Sequence, residues 1–189
     1  MEAFFISTLA VAVSEIGDKT QLLSLLLAAR FQRPVPIILG IFCATVVNHT
    51  IAAAVGEWVY SVVSPEVLRW GLGVSFLAIA VWALVPDKME KDPTPQGRYG
   101  VFLVTLIAFF LAEIGDKTQL ATVMLAAKYH TLIAVVGGTT LGMLLADAPA
   151  VLLGNTASKA IPFKAVRLLA AGLFGVLGAA VLLGLKGTS

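Results

Sequence analysis

The sequence predicts an all-α integral membrane protein, with six transmembrane helices forming two inverted-topology three-helix repeats. Three observations predict it: an apolar composition, six long apolar segments, and an internal repeat of 98 residues. Of 189 residues, 59% are hydrophobic and 13% are charged, against about 25% charged in a soluble domain. One small globule has too little interior to hide that much apolar surface, so the bilayer is its solvent. The net charge of +2 and the scattered basic residues exclude a nucleic-acid surface. The single cysteine, Cys43, lies in an apolar segment and excludes an internal disulfide.

A spanning helix needs roughly 20 mostly apolar residues. Six segments qualify: 3–29, 35–57, 66–85, 99–127, 131–154 and 164–185. They are too long and too evenly apolar for barrel strands, which alternate. The first runs directly into a charged motif with no basic region ahead of it, so it is expected to remain as the first helix rather than act as a cleaved signal. The second carries Asn48 and His49 in its apolar run. The third has Glu66 near its start, and Glu66 and Glu57 are expected to be solvated at helix ends. Between the third and fourth lies a polar stretch punctuated by Pro86, Pro93, Pro95 and Gly97. The fifth holds Asp147, and Pro149 should kink it and free a carbonyl one turn earlier. The sixth, with Gly172, Gly175 and Gly178, offers a surface for close helix packing. Trp58, Tyr60, Trp70 and Trp82 are expected to anchor at the interface.

A shift of 98 residues superposes the halves without gaps. Glu15 through Leu22 is then identical to Glu113 through Leu120, and Gly40, Gly56, Arg69 and Phe76 fall on Gly138, Gly154, Arg167 and Phe174. One duplicated unit explains these matches. The division expected is a first repeat at 1–85, a cytoplasmic linker at 86–98 and a second repeat at 99–189. Three helices per unit make the second unit enter from the opposite side, an architecture that places transport sites near the midplane between repeats. Arg30, Arg33, Lys88, Lys91, Arg98, Lys159, Lys164 and Arg167 fall on one face, and Arg69, Lys128 and Lys186 on the other. The richer face is expected to be cytoplasmic, which leaves both termini outside.

The repeated run is Glu-Ile-Gly-Asp-Lys-Thr, at residues 15–20 and 113–118. An ionised group at the bilayer centre costs about 2.5–3.5 kcal/mol, so the six charged groups of the two motifs cannot all face lipid. They must face one another, a cavity or an ion. On a regular helix Glu15, Asp18 and Lys19 share a face, as do Glu113, Asp116 and Lys117. Gly17 and Gly115 weaken the helix and admit close approach. If the helix breaks there, freed carbonyls become further oxygen ligands.

Brought together by two-fold symmetry, four carboxylates and two lysines sum to −2, the complement of one divalent cation. The candidate ligands are hard oxygens: Glu15, Asp18, Glu113 and Asp116, the Gln21 and Gln119 amides, and the Thr20 and Thr118 hydroxyls. Such a set suits manganese, calcium or magnesium rather than zinc or copper. Lys19 and Lys117 are expected counter-ions that could lock the empty site. Asp147, His49 and the adjacent Asn48 are candidates for a proton relay or an extra ligand. The bland alternative for the motifs is an ion-pair network that only holds helices together.

Two Glu-x-Gly-Asp-Lys-Thr motifs on six helices resemble the GDT-type family of cation/proton exchangers, and the short loops are most similar to its bacterial, MneA-type manganese-exporter branch. The resemblance implies manganese efflux driven by proton exchange, with calcium as a second substrate, and implies that Glu15, Asp18, Glu113 and Asp116 carry the ion. It implies a bacterial inner membrane, with cation and protons as the partners besides lipid. No resident cofactor is expected. A passive cation channel and an intramembrane acid hydrolase are the competing classes. The second is disfavoured because each acid has a lysine neighbour.

Overall fold

The computed structural model describes residues 1–85, 100–153 and 163–184. Among them are eight α-helices: α1 (Glu2–Glu15), α2 (Lys19–Phe31), α3 (Pro34–Val62), α4 (Pro65–Ala83), α5 (Val101–Glu113), α6 (Lys117–Tyr129), α7 (Leu132–Leu153) and α8 (Phe163–Leu182). The helices α3, α4, α7 and α8 are long and apolar enough to cross a membrane, and α5 is a shorter apolar helix. The linker expected at 86–98 lies outside the described residues.

The first and fourth apolar segments are not single helices. Each is divided at its motif, so the common face expected for Glu15, Asp18 and Lys19 does not form. After Glu15 the chain turns extended at Ile16 (φ −64°, ψ 116°), passes through Gly17 at φ 83°, and restarts on Asp18. The second copy does the same at Ile114 (φ −61°, ψ 121°), Gly115 (φ 74°) and Asp116. Glycine takes positive φ without steric cost, and aspartate is a strong N-cap residue. Gln21 and Gln119 sit at the third helical position, as in a capping box. Their Oε1 atoms accept from Gly17 N at 2.9 Å and Gly115 N at 2.8 Å. The carbonyls of Glu15 and Glu113 accept from Asp18 N at 3.0 Å and Asp116 N at 3.1 Å. These two carbonyls are therefore engaged within the turn.

The repeat in the sequence is also a repeat in the helices. Adding 98 to Lys19, Pro34 and Pro65, where α2, α3 and α4 begin, gives the first residues of α6, α7 and α8. The helices then exchange partners between halves. α3 runs alongside α5 and α6 in the same direction: Gly40 meets Phe102 and Thr105, Asn48 meets Phe110, and Gly56 meets Val123 and Ala126. α7 runs likewise alongside α1 and α2, with Gly138 on Phe4 and Ser7, Gly142 on Thr8, and Ala146 on Gln21. α4 and α8 pack antiparallel. Phe76 stacks on Phe174 with centroids 6.3 Å apart, and Gly73 lies on Leu182 and Gly178.

Close approach through glycine makes a prediction with two signs. A methyl group at Gly138 would collide with the Phe4 carbonyl, whereas one at Gly172 would meet nothing within 4 Å. Gly138→Ala should therefore lose about 1–3 kcal/mol through overpacking. Gly172→Ala should gain up to about 1 kcal/mol from helix propensity alone. Thermal unfolding in detergent should move the two midpoints in opposite directions.

Glu57 is not simply solvated. Its Oε1 accepts from Leu132 N at 3.0 Å, satisfying one of the N–H groups that the start of α7 leaves without an intrahelical partner. A carboxylate there also complements the positive end of the helix dipole.

Candidate cation site

The two breaks face each other. Lys19 Nζ lies 2.9 Å from Asp116 Oδ1, and Lys117 Nζ lies 2.6 Å from Asp18 Oδ1. Each lysine thus pairs with the aspartate of the other half, a reciprocity expected of two-fold related motifs. Glu15, Asp18 and Asp116 each place a carboxylate oxygen within 4.8 Å of the other two, and all three are buried. Four motif carboxylates, with Asp147, are almost wholly removed from solvent. Burial on this scale requires compensating charge or hydrogen bonds.

The hydroxyls and amides have separate duties. Thr20 donates to Glu15 Oε2 through a short bond. Asp116 Oδ2 accepts from both Thr118 N, at 3.1 Å, and Thr118 Oγ1, at 2.6 Å. The threonines therefore orient carboxylates, and the Gln21 and Gln119 oxygens close the turns. Gln21 also donates from Nε2 to the Ala146 carbonyl at 3.2 Å, which ties α2 to α7. Asn48 does the equivalent for α3 by donating to the Phe110 carbonyl at 3.2 Å.

His49 and Asp147, which the repeat superposes, lie at the same cluster but differ in their partners. His49 Nε2 is 3.7 Å from Glu113 Oε2, beyond hydrogen-bond distance, and neither ring nitrogen has a hydrogen bond among the described residues. Asp147 Oδ1 accepts from Ser24 at 2.9 Å, while its Oδ2 has no hydrogen-bond partner among the described residues. Glu113 likewise has both carboxylate oxygens without a hydrogen bond there. Ser24 was not singled out from the sequence. Its signal was a lone hydroxyl in the apolar run Leu22-Leu23-Ser24-Leu25.

Trp82, expected as an interfacial anchor, also lines a cavity of about 380 Å³ together with Ile51, Val55, Asp116 and Gln119. A wider hollow of about 1470 Å³ at the end of the bundle is lined by Glu2, Arg69, Lys128, Tyr129 and His130, and by none of the motif acids. There, burial holds the His130 imidazole below its ordinary pKa, with Glu57 opposing the shift.

The family model described as "Divalent cation/proton antiporter GDT1" matches residues 3–91 and 101–189. The chain belongs to the GDT1 family. A Vibrio cholerae protein named "Putative manganese exporter" is 51% identical over 92% of this chain and 87% of its own length. The rice GDT1-like protein 3 is 29% identical over 92% of this chain and 71% of its own. Arabidopsis thaliana GDT1-like protein 5 is 28% identical over 94% of each. No solved structure matches the chain. Membership of the GDT1 family, with the apolar helices, makes this a multi-pass membrane transporter of divalent cations and not an enzyme.

Proposed function

We propose that this GDT1-family chain exports divalent cations, manganese foremost and calcium as a second substrate, in exchange for protons. The single observation that carries the site is the meeting of Glu15, Asp18 and Asp116 within 4.8 Å, from motifs 98 residues apart. The manganese preference draws on the name of the Vibrio relative. The proton exchange draws on the family description. Oxygen ligands alone accept manganese and calcium alike.

Two further readings belong with it. The broken pairs α1–α2 and α5–α6 each serve as one span, giving six. α2 leads into α3 through two residues, Gln32 and Arg33, so α3 returns antiparallel to α1–α2. α3 also runs parallel to α5–α6. The two broken spans then cross in opposite senses, which supports the inverted repeat of 1–85 and 99–189. In the same reading the membrane is the bacterial inner one, and the excess of basic residues on the face of Arg30 and Arg33 supports a cytoplasmic side there with both termini outside.

In this mechanism the cytoplasm-facing site captures the cation on Glu15, Asp18 and Asp116, with Glu113 and Asp147 close enough to add negative charge. Lys19 and Lys117, paired with the aspartates in the empty site, are displaced as the cation arrives. The repeats rock, and outside protons compete for the same carboxylates and release the cation. His49 beside Glu113 and Asp147 beside Ser24 are the groups placed to hand protons in, and Asn48 keeps α3 against α5.

The test is manganese uptake into inverted vesicles with an imposed pH gradient. Accumulation should follow the gradient and collapse with a protonophore. Movement down the manganese gradient that ignores pH would instead identify a passive channel.

A further inference from the structure

The two breaks share one local sequence but not one environment. Gly115 and Ile114 are exposed, whereas Gly17 and Ile16 are half-buried. The Lys19 side chain, reaching Asp116, is 25% exposed, and that of Lys117, reaching Asp18, is 6% exposed. Against the second break lies the cavity of about 380 Å³ whose wall carries Trp82 together with Gly115, Asp116 and Gln119. The positions 98 residues from Ile51 and Trp82 are Pro149 and Ala180, so the walls around the two breaks differ in the sequence itself.

Interrupted backbone at membrane depth is tolerated only where protein covers it or water reaches it. Gly115 is exposed, so protein does not cover it. A partly exposed ammonium such as Lys19 has the same requirement, because lipid cannot solvate it. We propose that the cavity bounded by α3, α4 and α6 is a water-filled access route that reaches the acidic cluster through Asp116, past Trp82. Water enters at the second break and not at the first. Asp116, which lines the cavity, is then the carboxylate that an arriving ion meets ahead of Asp18, which pairs with the buried Lys117. This assignment rests on the cation-site reading for its cargo, but not for the water.

Leu120 and Leu22 make a matched test. They end identical motif runs and are similarly exposed, at 36% and 40%, but only Leu120 lines the cavity. In a Cys43→Ser background, Leu120→Cys and Leu22→Cys would be reconstituted in vesicles with a charged methanethiosulfonate reagent on both sides. A thiol in water ionises and reacts, whereas one against lipid does not, so Leu120→Cys should react at least about tenfold faster. Val123→Cys against Leu25→Cys provides a second matched pair, of which only Val123 lines the cavity, should either first variant fail to elute as a folded species. Equal rates, or a faster first-break cysteine, would overturn the route. Manganese-dependent thermal stabilisation of the unaltered chain decides the cation site separately. Its absence would remove the cargo and leave the labelling result standing.

Discussion

Exchanging Asp116 for asparagine is expected to reduce manganese transport by roughly 30-fold to more than 1000-fold without unfolding the chain. Asp116 has three roles at once. It caps α6 by accepting from Thr118 N, it receives Lys19 at 2.9 Å, and it contributes an oxygen to the cluster with Glu15 and Asp18. Asparagine is as good an N-cap as aspartate, so the start of α6 survives. What is lost is one full negative charge aimed at the cation. Truncating one partner of a buried charge pair costs about 2–5 kcal/mol, and each 1.4 kcal/mol is tenfold in affinity, which gives the range stated. Thr118→Val keeps the charge and removes only one hydroxyl donor, so its loss should be near tenfold or less. Initial uptake rates in inverted vesicles, compared at equal protein, check both. An Asp116→Asn variant that transports within about threefold of the unaltered chain would remove Asp116 from the cation's path.

The all-helical membrane class and the meeting of the two acidic motifs were legible because the sequence repeats its chemistry where lipid makes charge expensive. The match of Glu15 through Leu22 to Glu113 through Leu120 marks both motifs in the sequence, and the structure brings Glu15, Asp18 and Asp116 together. The helix break was less legible because hydropathy averages over a window and sees 3–29 as one segment. The local signal was present as Gly-Asp followed by glutamine three residues on, which marks a helix start rather than a helix interior. Reading that signal would have assigned Gln21 and Gln119 to the turns at Gly17 and Gly115. The partners of Asp147 and Glu57 were illegible for a different reason. Ser24 and Leu132 lie 123 and 75 residues from them, and nothing in composition or spacing specifies which faces of distant helices meet. The place of Trp82 beside Asp116 and Gln119 has the same explanation: an aromatic at a helix end does not declare which neighbouring helix it meets.

The two lysines, identical in their motifs, should differ sharply in what their loss costs. Lys117 is buried and lies 2.6 Å from Asp18, itself buried. Lys117→Met keeps nearly the same volume but leaves Asp18 without that ammonium, and removing one member of a buried ion pair costs about 3–5 kcal/mol. Lys19 is a quarter exposed, and its partner Asp116 keeps both bonds from Thr118. Lys19→Met should therefore cost about 1 kcal/mol or less, in the range of partly solvated pairs. Thermal unfolding in detergent should rank the variants Lys117→Met well below Lys19→Met. Manganese should then raise the midpoint of Lys117→Met by more than that of the unaltered chain, because stabilisation by binding to the native state grows with the logarithm of affinity, and the cation would supply the charge that the lysine no longer does. Equal losses for the two variants would mean that the exposure difference between the breaks has no energetic content. A Lys117→Met variant that manganese fails to rescue would mean that Asp18 needs that lysine in particular, and that the cation does not replace it.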